Sequence, residues 1–282
     1  MLPTSPPPLC IDRVTLFVHD LDRVRRFYER AIGLRELDAG ANFARLCAGD
    51  RALVELRREP RARPRSPHGT GLFHAAFLLP TRAALGRWAV HAARAGLPVQ
   101  GASDHGVSEA IYLADPEGNG VEVYADRPRS TWRWRDNLIA LTTAPLDADD
   151  LMAAAGPELW RGAPDGTVVG HVHLQVGALA PAEAFYAGVL GVPVTARYPG
   201  ASFYGSGYHH HLATNVWNSC GAAPRTEPTA GLAAVALVAA NAATLDGVAA
   251  RAAESGLDPE RHGAGLVLRD PWNTVLTLDA PE

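Results

Sequence analysis

RVTLFVHDLDRVRRFYERAIGL (residues 13–34) and HVHLQVGALAPAEAFYAGVLGV (171–192) are one pattern written twice. Each opens on alternating residues, the two-residue period of a strand with two unlike faces. Each closes on Phe-Tyr, three residues, an apolar residue and Gly, and the spacing is the same: Val14 to Phe27 and Val172 to Phe185 are both 13 residues. In the first copy Asp20 can cap a helix through Val24, Phe27, Tyr28 and Ile32, which Gly33 ends. A second echo joins GLFHAAFLLP (71–80) to GLAAVALVAA (231–240), and a third joins the Asp-Pro turns at Asp115 and Asp270. The offsets are 158, 160 and 155 residues, so the chain is a duplicated half with small insertions.

Each half divides again. In the first module, short strands near 35–38, 42–47 and 51–57 follow the helix. The second module has a strand at 72–79, a helix from Thr81 to Ala95 closed by Gly96, and strands near 108–113 and 120–124 flanking DPEGNG. Modules three (168–217) and four (231–279) repeat the order. The expected fold class is therefore α+β, with four βαβββ modules in two tandem domains, 9–126 and 168–282. A linker over 127–167 carries the short helical stretch DADDLMAAAG. RREPRARPRSPHGT (57–70) is basic and Pro-rich and reads as a solvated loop, not an anion site.

The 282 residues suffice for one large or two ordinary domains. With 47% apolar and 20% charged residues the composition is globular, and a net charge of −4 gives no whole-protein basic field for nucleic acid. Cys10, Cys47 and Cys220 are odd in number and far apart, which argues against a disulfide framework or a thiolate zinc site and for a reducing cytosol. MLPTSPPPLC lacks the charged and apolar regions of a signal peptide, and no apolar run is long enough to span a bilayer. The expectation is a cytoplasmic protein with no membrane or nucleic-acid partner; a homo-oligomer is compatible with the sequence.

His74 and Glu122 lie in the opening and closing strands of the second module. A lone strand histidine is usually satisfied or exposed, but His74 falls on the core side of an apolar strand and Glu122 between Val121 and Val123. Such groups are costly unless paired or metal-bound. With His171, which opens the third module, they would form a two-histidine, one-carboxylate set that leaves positions open on Fe(II), and Mn(II) would suit the same ligands. The repeat alignment puts Arg13 opposite His171, Ala234 opposite His74 and Leu276 opposite Glu122. All candidate ligands thus fall in modules two and three, which points to one site between them. His173, two residues from His171 on the same strand face, is the next candidate.

GYHHHLATN (207–215) is the richest polar cluster. Read as part of module three's last strand, it would turn His209 and His211 one way and His210 the other. Either His210 alone or the outer pair could then face the site. Tyr112, ten residues before Glu122 and across a hairpin, can project into the same cavity, and His105 sits in the loop before it.

GLFHAAFLLP, DHGVSEAIYLADPEGNGVEVYADRPRSTW, GHVHLQV and GYHHHLATNVW resemble segments of the vicinal oxygen chelate superfamily, which includes glyoxalase I, bleomycin-resistance proteins and type I extradiol dioxygenases. The similarity spans nearly the whole chain and is greatest to the bacterial catechol 2,3-dioxygenase group. It implies paired modules forming half-open barrels around Fe(II), with His74, His171 and Glu122 as ligands. It also implies His210 as acid–base catalyst, Tyr112 as a substrate contact and His105 as a further active-site residue; His173, His209 and His211 complete the substrate-binding candidates. The implied reaction is opening of a catechol-like ring by O₂ next to a hydroxyl group. Two rivals are a glyoxalase-type isomerase or lyase, which would favour four protein ligands around Ni(II) or Zn(II), and a non-catalytic antibiotic-binding protein of the bleomycin-resistance type, which needs no triad.

Overall fold

The computed structural model describes residues 8–226 and 228–281; the first seven residues of the N-terminal stretch read above lie outside the described residues, as do Glu227 and Glu282. Module one comprises β1 (Leu9–Val18), α1 (Leu21–Phe27), β2 (Arg35–Gly40), β3 (Phe43–Ala48) and β4 (Arg51–Arg58). Module two comprises β5 (Gly71–Leu78), α2 (Arg82–Ala95), β6 (Gly101–Asp104), β7 (Ser108–Ala114) and β8 (Gly120–Asp126). The connecting segment holds β9 (Trp134–Arg135), β10 (Leu138–Ile139) and α3 (Ala148–Ala153). Module three follows as β11 (Val168–Gln175), α4 (Leu179–Glu183), β12 (Val194–Tyr198), β13 (Ala201–Tyr204) and β14 (Leu212–Asn215). Module four is β15 (Gly231–Ala239), α5 (Ala242–Glu254), β16 (Glu260–His262), β17 (Gly265–Arg269) and β18 (Val275–Asp279).

Local signals act where the chain places them. Asp20 accepts from the Arg23 N–H at 3.0 Å, and a π-helical turn, Tyr28–Ile32, carries the helix to Gly33 at φ 77°. Thr81 caps α2 and Gly96, at φ 60°, ends it. Asp115 and Asp270 each fold their turn by accepting backbone N–H groups two and four residues on. The Phe-Tyr motif reaches one of these turns: the Tyr186 hydroxyl donates to Asp270 at 2.8 Å across modules three and four. The 57–70 loop is mostly exposed, although Arg65 turns inward to donate to the carbonyls of Gly118 and Leu72.

The strands form two eight-stranded mixed sheets, ordered β16-β17-β18-β15-β1-β4-β3-β2 and β12-β13-β14-β11-β5-β8-β7-β6. Each sheet joins modules from both sequence halves, one with four and two with three, through an antiparallel contact of the modules' first strands, β1 with β15 and β5 with β11. One face of each sheet packs into a shared apolar core through residues such as Val14, Leu16, Phe77, Val123 and Val172. The other face of the second sheet carries the polar residues read above.

Two sequence assignments are corrected here. Ala76 pairs with Glu122, and Ala236, its counterpart, pairs with Thr277, so Thr277 and not Leu276 stands opposite Glu122 in the repeat. Leu276 points into the core, fully buried. The last strand of module three begins at Leu212, so His209, His210 and His211 lie in the bend before it and do not alternate faces as strand residues would.

Gly120 lies where β8 runs against β5. A Cβ there would sit 2.0 Å from the Phe73 carbonyl and 3.1 Å from the His74 Cβ. Gly120→Ala should therefore push β8 off β5 and cost about 1–3 kcal/mol, the usual range for overpacking. Urea denaturation would check this, and an unchanged midpoint would contradict the close approach.

Candidate metal centre

The register of three strands assembles the centre. Glu122 on β8 is opposite Ala76 on β5, which is opposite His171 on β11. Paired residues project to the same face, so the Ala76 methyl is the only side chain between the carboxylate and the imidazole in that row. One row along, His74 is opposite His173. The Nε2 atoms of His74 and His171 lie 3.0 and 3.4 Å from one oxygen of Glu122. One ligand atom from each of the three falls within 4.8 Å of the others, and all three residues are buried. Burial pushes the Glu122 carboxyl up, but His171 and His74 beside it outweigh this and hold it well below the usual carboxylate range. Burial pulls His171 down to about 4 against the pull of Glu122, so its lone pair is available at neutral pH.

The set fits a divalent ion. His74 Nε2 is buried and faces Glu122 without hydrogen-bond alignment, as expected of a lone pair and a carboxylate turned toward a common cation. Among the described residues no fourth ligand joins the group. The equivalent positions of the other sheet hold Arg13, Thr15, Ala234 and Thr277. Buried Glu55 is there tied to Arg13, Arg45 and Arg57 at 3.8, 3.2 and 2.6 Å.

The triad lines a cavity of about 280 Å³. Its walls include Tyr112, His105, His173 and His210 from the sequence reading. Phe73, Val107, Leu141, Phe203 and Trp217 line it as well. Tyr112 is opposite Glu122 on β7, and its hydroxyl is 2.6 Å from His105 Nε2. His105 Nδ1 is 2.8 Å from the Thr142 carbonyl, which can only accept; the ring therefore carries its proton on Nδ1 and accepts from Tyr112 through Nε2. Burial, with Glu122 adding to it, holds the Tyr112 phenol well above its ordinary value.

His210 packs on His171 with ring centroids 4.2 Å apart. His209 and His211 do not line this cavity. His209 stands behind His210, with the two Nδ1 atoms 2.7 Å apart and its Nε2 3.0 Å from Asp126. His211 lines a separate cavity with Cys10 and Arg51. Of the three, His210 alone lines the cavity at the triad. His173 lines the cavity outside the three-residue ligand group.

Sequence reading missed three contributors. Asp126 shares a strand face with Glu122 and Tyr124, a two-residue period visible in GVEVYAD. Asn215 closes the quoted GYHHHLATN cluster. The linker wall, Leu141–Thr143, gave no signal: Asp104 and Ala144 exchange backbone hydrogen bonds at 2.9 and 3.0 Å, drawing the segment along β6 and over the cavity.

Residues 10–123 and 168–277 match the family model described as the Glyoxalase/Bleomycin resistance protein/Dioxygenase superfamily. A protein of Bacillus subtilis (strain 168) named catechol-2,3-dioxygenase is 38% identical over 262 residues, covering 91% of this chain and 92% of its own. The solved glyoxalase I from Zea mays aligns with a TM-score of 0.59 at 18% identity over 96% of this chain and 92% of its own. The cppA protein from Streptococcus pneumoniae TIGR4 aligns with a TM-score of 0.57 at 11% identity over 96% and 99%. At such identities the two structures speak for the fold alone.

His74→Ala, Glu122→Ala and His171→Ala should each lose most tightly held metal in anaerobically purified protein, measured by elemental analysis. Ala76→Leu keeps all three ligands but wedges a larger side chain between Glu122 and His171, and should lose metal too. His173→Ala should keep it. Retention in His171→Ala with loss in His173→Ala would move the ligand set.

Proposed function

We propose that this chain, which belongs to the glyoxalase/bleomycin resistance protein/dioxygenase superfamily, is an extradiol dioxygenase that opens a catechol-like ring with O₂ at a non-haem Fe(II) site, a site Mn(II) would also fit. The observation that carries the reading is a triad of His74, His171 and Glu122 on one wall of a cavity whose adjoining walls are apolar and aromatic. The named dioxygenase relative supports it. A glyoxalase-type reaction would favour a fourth ligand, and among the described residues the group has three.

A divalent ion held there would supply open positions for a diol and O₂ and would acidify the bound hydroxyl. The chain's own residues do the rest. Val107, Leu141 and Phe203 shape a dry slot for a ring. Asp126 accepts from His209 Nε2, so in the neutral ring His209 Nδ1 is an acceptor and the shared proton sits on His210 Nδ1. That leaves Nε2 of His210 with a lone pair. Burial, reinforced by His171 and His209, holds His210 well below its ordinary value, so the ring is neutral and can take a proton from a hydroxyl at the triad. His209 and Asp126 then stabilise the charge that His210 acquires. Tyr112, whose own proton goes to His105, can accept from the substrate or orient it.

His210→Phe should keep its metal and its fold but turn over about 10²–10⁴-fold more slowly, the usual loss when a general acid–base is removed. Oxygen uptake on a catechol panel, with metal content measured in parallel, tests it. Tyr112→Phe, which removes one hydrogen bond, should fall between this variant and the parent. Full activity in both would exclude the reaction.

A further inference from the structure

Deep in the cavity wall, His173 is held by a chain of hydrogen bonds whose directions can all be assigned. The Trp217 backbone N–H donates to Asn215 Oδ1 at 3.2 Å, which settles the orientation of that amide. Asn215 Nδ2, a donor only, is 3.0 Å from His173 Nε2, so Nε2 accepts. The ring's proton must then be on Nδ1, and no protein acceptor meets Nδ1 among the described residues. His173 is otherwise enclosed by rings: His74, Phe73, Trp217 and Phe203 have centroids 5.0, 5.1, 5.4 and 5.7 Å away.

We infer that Asn215 locks His173 as an Nδ1–H donor that reads an oxygen atom of the ring-bearing substrate beside the triad, a role that rests on the function proposed above. The pair works as one unit. Asn215 does not reach the substrate; it is a positioning residue that acts through the tautomer of His173. A carboxylate at 215 could only accept, so it would draw the proton to Nε2 and turn a lone pair toward the cavity.

The test uses the full-length protein carrying nitrogen-labelled histidine and loaded with diamagnetic Zn(II). Long-range proton–nitrogen correlation spectra report which ring nitrogen is protonated. His173, identified by its missing signals in His173→Phe, should be protonated on Nδ1 in the parent and on Nε2 in Asn215→Asp. Anaerobic titration with 4-nitrocatechol should show affinity falling about twofold to tenfold in His173→Phe and in Asn215→Asp, the loss of one hydrogen bond, with metal content unchanged. An Nε2-protonated His173 in the parent would overturn the inference even if Asn215→Asp does not fold. Parental affinity in a folded His173→Phe would also overturn it. Oxygen uptake by the Fe(II)-loaded parent with catechol is read alongside. If uptake is absent while the tautomer and affinity shifts hold, the proposed reaction falls and the donor stands; if uptake is present without those shifts, the donor falls.

Discussion

A carboxylate buried to 2% exposure in the middle of a sheet is the constraint around which the second sheet is arranged. Among the described residues no guanidinium stands beside Glu122; its near partners are the imidazoles of His74 and His171. Removing an ionised carboxylate from water costs several kcal/mol even after relaxation, so something must hold it. Two half-basic rings do this only in part, and a divalent cation would complete the balance. The approach of the three groups depends on a small residue, Ala76, at the crossing of the two register rows, and on the β5–β11 contact that brings module three against module two. A bulky residue at 76, or any other module pairing, would separate the carboxylate from His171.

The first sheet shows what the same architecture does with the problem solved differently. Its modules meet through the equivalent β1–β15 contact. Its buried carboxylate, Glu55, lies on a different strand row and is met by three guanidiniums. Those cations are permanent, and they hold Glu55 below the usual carboxylate range although burial alone would raise it. A carboxylate so satisfied has little left for a metal. Duplication thus gives two concave faces, and the residues on their central strands decide which one can do chemistry.

Much of this was legible because it rests on period and spacing. The repeat offsets identified two halves, the element order divided each into two modules, and turn chemistry at Asp20, Gly33, Thr81, Gly96 and Asp115 located element ends to within a residue or two. Burial of His74 and Glu122 followed from their apolar neighbours. What failed needed cross-strand register or loop path. Equating Leu276 with Glu122 was a slip of one position, and in a strand one position reverses the face. The histidine run reads as strand because its flanks are strand-like, yet Gly205 and Gly207 bend the chain before Leu212. The linker's contribution to the cavity wall was invisible because a segment without periodic pattern carries no sign of where it docks.

Charge balance links the triad to the rings behind it. Among the described residues the cavity lining contains no lysine or arginine, and its one carboxylate is Glu122. Adding the proposed divalent ion leaves the centre one positive charge in excess. In the reaction proposed above, a diol that had given up one proton would cancel that charge, whereas a neutral substrate would leave it uncompensated. The released proton raises the same question one step further out. On His210 it creates a cation, but Asp126 stands on the far side of His209 and offsets it. Each new charge therefore has an opposite one within one or two side chains, and none requires water to enter.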